Sequence, residues 1–256
     1  MPEWLLLLAA GLLGGAMNAL AGGGSFATFP ALVAAGVPSV AANATSTVAL
    51  FPGGAASTWV YRSSLGAVCG VPLRPVLLVT VLGGLLGAVL LLVTPSDIFD
   101  RVVPWLLLAA AVAIAFGPRL GPLLRARLRI GPALVLPLQF VLGVYGGYFG
   151  GAVGLMMLAL WALLDGAEIR ALQAPRTVLT TAANSIAVLC FIVAGAVRWP
   201  EALAVGLGAL AGGVLGSYAG KGLPAGVVRA ATVTLAFAVT AAFFVRAYGD
   251  AFGLSF

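Results

Sequence analysis

Two glycine-rich interruptions inside otherwise apolar stretches constrain this chain more than anything else in it. The first is Ala21-Gly22-Gly23-Gly24-Ser25; the second is Gly146-Gly147-Tyr148-Phe149-Gly150-Gly151-Ala152-Val153-Gly154. Consecutive glycines are poor helix formers, so a helix entering either run is expected to unwind. Unwinding inside hydrocarbon strands N–H and C=O groups at several kcal/mol each, by general estimate. Such breaks persist where protein or a watery cavity covers them, which in membrane transporters is where substrate sits.

The flanking sequence requires that setting. The chain is 62% hydrophobic and 8% charged, with a mean hydropathy of +1.16, whereas a soluble domain carries roughly 25% charged residues. A polytopic all-α membrane protein follows; the alternating pattern of an outer-membrane barrel is absent. No basic region precedes the apolar run from Trp4, so no cleavable signal is expected. The net charge of +6 reads as the positive-inside bias of membrane loops and not as nucleic-acid binding. Cys69 and Cys190 read as two buried thiols. With no histidine and two cysteines, zinc, haem and iron–sulfur sites are excluded, and no cofactor is expected.

One half of the sequence lies on the other. At a shift of 130 residues Gly24 meets Gly154, Gly36 meets Gly166, Ala41 meets Ala171 and Ala44 meets Ala174. After a one-residue deletion the shift is 129, and Gly66 meets Gly195, Gly83-Gly84 meets Gly212-Gly213, Gly87 meets Gly216 and Pro95 meets Pro224. The expected organisation is a first transmembrane repeat over 1–118, a basic cytoplasmic linker over 119–131 and a second repeat over 132–256. Each repeat should hold a long apolar segment (3–20, then 133–145), the break, a short helix (26–35, then 155–164) and three spans. The spans are expected at 44–61, 75–94 and 102–117, then 174–194, 201–219 and 226–246. A ten-residue helix is about 15 Å long, half a bilayer core.

Charge suggests how the repeats are related. If each break is a hairpin returning to its starting side, the halves are inverted. Arg62, Arg74, Arg119, Arg125, Arg127, Arg129, Arg170, Arg176, Lys221 and Arg229 then share one side, against Arg101, Arg198 and Arg246 on the other. An even number of crossings per half gives a less lopsided division. The positive-inside rule favours inverted repeats with both termini outside.

The acidic residues Glu3, Asp97, Asp100, Asp165, Glu168, Glu201 and Asp250 all fall at expected span ends. None is placed mid-membrane, where it would mark a proton or cation path. The interior offers amides, hydroxyls and helix starts, an inventory that suits a small anion. Free N–H groups are expected to face a cavity at both breaks, with Ser25 capping the first short helix. Asn18, Asn43, Thr45, Ser46 and Asn184 would complete the shell, and Arg176 would neutralise charge at the cytoplasmic mouth. The competing structural reading is that these hydroxyls and amides join neighbouring helices and that Arg176 is an interfacial anchor.

The run Gly14–Ala49 resembles the first signature of the TauE/SafE-type sulfite exporter family, the toluene sulfonate uptake permeases. Its marks here are Asn18, Ala21–Ser25, Pro30, Gly36-Val37-Pro38 and Ala44-Thr45-Ser46. Gly143–Gly151 and Asn184 resemble the second, although Ala152-Val153 interrupts its glycine run. The resemblance covers nearly the whole chain. It implies a secondary transporter, more often an exporter, of sulfite, sulfonates or thiosulfate-like anions in the bacterial plasma membrane, and not an enzyme. The expected substrate-binding set is Asn18, Gly22, Gly23, Gly24, Ser25, Thr45, Ser46, Gly150, Gly151, Arg176 and Asn184. Expected partners are a small anion and membrane lipids, with a homodimer left open. The alternatives are an anion channel and a membrane assembly protein that transports nothing.

Overall fold

In hydrocarbon every backbone polar group must be satisfied within the protein, and a helix does this residue by residue. The computed structural model accordingly is all-helical; it describes residues 3–20, 22–61, 65–127, 132–164, 172–219 and 224–249. The first half contains α1 (Glu3–Leu20), α2 (Ser25–Ala34), α3 (Ser39–Tyr61), α4 (Leu73–Val93) and α5 (Ser96–Arg127). The second contains a 3-10 turn (Pro132–Leu134), α6 (Val135–Tyr148), α7 (Val153–Leu164), α8 (Gln173–Val193), α9 (Trp199–Ala219) and α10 (Ala225–Tyr248). The second half thus repeats the element order of the first.

Six of these helices, α1, α4, α5, α8, α9 and α10, are long and apolar enough to cross a membrane, so the chain is a multi-pass membrane protein. The helix α3 is as long but more polar, and its Asn43–Thr47 turn is buried at the centre. Two boundaries differ from expectation. The fifth helix continues through Pro118 and Pro122 to Arg127, so much of the expected linker is helix. The second break is shorter than its glycines suggested, because Gly146 and Gly147 stay helical and pack on neighbouring helices. Ala21, Arg62, Arg129, Asp165, Glu168, Arg170, Lys221 and Asp250 lie outside the described residues.

Glycine governs the packing. The first helix lies along α9 in the same direction, Gly11 beside Val205 and Gly15 beside Ala209. A Cβ added at Gly212 would fall 1.8 Å from the Leu12 carbonyl oxygen. The sixth helix lies along α4 in the same way, Gly143 beside Thr80, and a Cβ on Gly147 would meet the Gly84 oxygen at 2.0 Å. These are the close approaches that small residues permit between membrane helices. The first helix of each half therefore packs on the fourth helix of the other.

Other contacts fix directions. Thr58 donates to the Thr181 hydroxyl at 2.9 Å at one end of the α3–α8 pair, and the Arg198 N–H donates to Thr45 Oγ1 at 3.0 Å at the other. These two helices, which hold the same place in the two halves, run antiparallel. So do α5 and α10: Arg229 donates to the Ala115 carbonyl at 2.8 Å, while Tyr248 donates to the Arg101 carbonyl at 2.9 Å. Each broken segment is a hairpin. Gly24 returns beside Gly14 and Asn18, and Trp161 of α7 donates back to Gln139 of α6 at 3.1 Å. One face of the bundle, the basic face, consequently carries Arg74, Arg176, Arg229 and the C-terminal end of α5. The opposite face carries Arg101, Arg198 and Arg246, together with Glu3, Asp97, Asp100 and Glu201.

Candidate functional site

The first break lies between Leu20 and Ser25. Gly22 and Gly23 have φ of 76° and 113°, a region that glycine enters without steric cost. The break does not leave its amides open as expected. Asn18 folds back, and its Oδ1 accepts from the Gly23 N–H at 3.1 Å and the Gly24 N–H at 2.9 Å. The cap position of α2 falls on Gly24, without a side-chain cap, and Ser25 is the first helical residue.

The second break has no such amide, because Tyr148 stands where the 130-residue register would put the counterpart of Asn18. Gly150 has φ of 72° and Ala152, a non-glycine, has φ of 57°, an uncommon conformation for a residue with a Cβ. Asn43 donates to the Tyr148 carbonyl at 2.9 Å, closing the end of α6. The N–H groups of Gly151, Ala152, Val153 and Gly154 find no backbone or side-chain acceptor among the described residues. These are the orphan donors of a helix start. Ala152 and Val153 are buried residues that line the cavity described below, where a hydrogen-bond acceptor would satisfy such amides.

The two breaks meet. A Cβ on Gly23 would stand 4.0 Å from the Ala152 Cβ. Arg176, in the first turn of α8, runs between them. Its stem passes Gly154, where an added Cβ would lie 3.4 Å from its Cγ, and its Nη1 lies 3.5 Å from the Cβ position of Gly22. The arginine is thus drawn in from the mouth and placed against both breaks. Beside it, Asn184 Oδ1 is buried without a partner among the described residues, 4.0 Å from the Cβ position of Gly150.

A cavity of about 1040 Å³ opens at this junction. Asn18, Gly22, Gly23, Ser25, Gly150, Arg176 and Asn184 line it; Gly24, Thr45, Ser46 and Gly151 do not. The hydroxyl of Thr45 receives the Arg198 N–H, and that of Ser46 shares a 2.6 Å hydrogen bond with Thr28. Gly24 is pressed against the Gly14 carbonyl and Gly151 against the Phe149 ring. Thr45 and Ser46 thus join neighbouring elements, as the competing reading had it, while Gly24 packs its break against α1 and Gly151 packs within its own break. The cavity runs out to Ser57, Gln173, Ser217 and Arg229 at helix ends on the basic face. Among the described residues its charged lining is Arg176 and Arg229, with no carboxylate.

Thr47 and Arg229 join the site although the sequence reading does not include them. Thr47 follows the Ala44-Thr45-Ser46 motif by one residue, and its Oγ1 lies 3.2 Å from the Cβ position of Gly150. In the sequence alone Arg229 is a marker of sidedness. The available signal was its position at the 129-residue register from Asp100, which puts an arginine where the other half carries a carboxylate.

Fold and site together define a polytopic membrane protein with a cationic cavity at paired helix breaks. Residues 7–243 match the profile of the family described as sulfite exporter TauE/SafE, and the chain belongs to that family of membrane transporters. A probable membrane transporter protein of Haemophilus influenzae is 29% identical over 92% of both chains. Another, ORF9 of a Sinorhizobium species, is 28% identical over 91% of this chain and 89% of its own. The probable membrane transporter protein YfcA of Escherichia coli is 28% identical over 80% of this chain and 76% of its own. No solved structure matches.

Proposed function

We propose that this protein is a secondary transporter that exports small sulfur-containing anions, such as sulfite or organosulfonates, by alternating access across a bacterial plasma membrane. The observation that carries the reading is the placing of Arg176 between two meeting breaks, in a cavity whose described lining holds no carboxylate. Amides at the start of α7, without an acceptor among the described residues, add donors at the same point. A small tetrahedral or pyramidal oxyanion would accept from these amides and from the guanidinium, with Ser25 and Asn184 beside it. The family description contributes the sulfur chemistry.

The antiparallel pairings of α3 with α8 and of α5 with α10 support inverted repeats. The positive-inside rule places the basic face in the cytoplasm, so the cavity faces the compartment from which an exporter loads. The membrane potential contributes about 2.3 kcal/mol per charge per 100 mV toward anion efflux. Sulfite also titrates near neutrality, which offers the substrate itself as a proton carrier.

Thermal unfolding of the purified protein in sulfite, sulfate, thiosulfate and C2 sulfonates tests the binding step. At 100 times Kd a ligand raises stability by about 2.7 kcal/mol, so a saturable rise with at least one of these anions is expected. No shift with any of them removes the sulfur-anion reading.

A further inference from the structure

The cavity reaches the basic face and stops short of the opposite one, where a cluster of aromatic rings fills the bundle. Phe29 of α2 is its centre: it stacks on Phe243 of α10 at 5.1 Å and meets Phe149 edge-on at 5.9 Å and Phe99 at 6.3 Å. Tyr148 lies against Phe99 at 5.6 Å and Tyr145 against Phe149 at 6.0 Å. All four phenylalanines are buried. Outside them Ser39 donates to Asp100, and Asp100 faces Arg246 at 4.0 Å, tying the starts of α3 and α5 to the end of α10.

The repeat register shows what the other half carries at these six positions. At a shift of 130, Phe29 corresponds to Ala159, Tyr145 to Gly15, Tyr148 to Asn18 and Phe149 to Ala19. At 129, Phe99 corresponds to Val228 and Phe243 to Ile114. All six counterparts line the cavity. One set of positions is therefore a seal on one face and a void on the other. The difference is side-chain size, since each aromatic ring brings 150–250 Å² of buriable surface as a general magnitude and alanine brings little.

We infer that the ring cluster is the gate of the opposite face, and that the size difference between the halves sets a resting state open to the basic face. This rests on the transport reading above. Opening the opposite face requires α2 to part from α10 and the second break, exposing the rings. Closing the basic face would bring together Ala19, Ile114, Ala159 and Val228, which have far less surface to bury. The substrate-free equilibrium therefore favours the conformation described, and substrate joining the two breaks supplies the bias toward the other.

Chemical access tests the gate without any substrate. In a background with Cys69 and Cys190 replaced by alanine, Ser25→Cys reports on the cavity floor. It is labelled with a membrane-impermeant maleimide in vesicles of each orientation. The parent should be labelled at least tenfold faster from the basic face. Phe29→Ala, which installs the residue of the other half, should speed labelling from the opposite face about tenfold or more. Ala159→Phe should slow labelling from the basic face by a similar factor, and it decides the matter if Phe29→Ala does not fold. Equal labelling of the parent from both faces, or folded variants that leave both rates unchanged, overturns the gate. A failed gate leaves the anion reading intact, because that reading is judged by ligand binding and flux.

Discussion

Asn18 shows how a single side chain decides what a helix break offers. Its amide oxygen takes two N–H groups that a glycine run would otherwise leave open. Replacement by alanine strands both in a partly buried setting, at about 1–3 kcal/mol each. Asn18→Ala is therefore expected to lower the thermal midpoint clearly, read by unfolding in detergent, while sulfur-anion binding weakens less than with Arg176→Gln. An unchanged midpoint would mean that water serves the two amides equally well. The need for polar groups at the breaks was legible in the sequence; which of them would serve the chain and which the guest was not. Asn18, Thr45 and Ser46 sit at spacings that suit either role, and the hydrogen bonds to Gly23, Arg198 and Thr28 that settle it depend on folding back or on partners far along the chain. Its place at the start of a span puts Arg176 at the mouth, and its reach to Gly22 comes from a long side chain whose stem runs past Gly154.

At the scale of elements, the bundle depends on two seams, α1 against α9 and α4 against α6. Both are built where a glycine on one helix faces backbone on the other. Gly212→Leu places a branched side chain where even a Cβ would sit 1.8 Å from the Leu12 oxygen. That seam must open, and the prediction is loss of folded protein, read as the monodisperse fraction in size-exclusion chromatography. Gly66→Ala, with nothing within 4 Å of its added Cβ, is the matched control and should leave the yield unchanged. Comparable yields for the two would contradict the seam. The broken hairpins and the long spans were legible because apolar length and glycine runs are local signals. The ends of α5 and of the second break were not, since Pro118 is carried inside a helix and Gly146-Gly147 is held helical by packing against distant residues.

At the scale of the whole molecule, the two halves share an order of elements but differ in what fills it. Matched glycines and prolines point to a duplication in the sequence, and the shared element order and the antiparallel runs of α3 against α8 and α5 against α10 support an inverted one. The aromatic cluster is not legible in the sequence because its rings come from α2, α5, α6, α10 and the second break, and no spacing along the chain brings them together. The account as a whole places one small anion at the junction of the breaks, held by Arg176 and the amides that open α7.

Flux in proteoliposomes tests that placement most directly, with sulfite and C2 sulfonates loaded on one side and an imposed membrane potential. The account predicts saturable transport of at least one of them, accelerated when the loaded compartment is negative and reduced at least tenfold by Arg176→Gln in protein that remains folded. Absence of flux for every anion under every gradient, or flux that Arg176→Gln leaves unchanged, would contradict it.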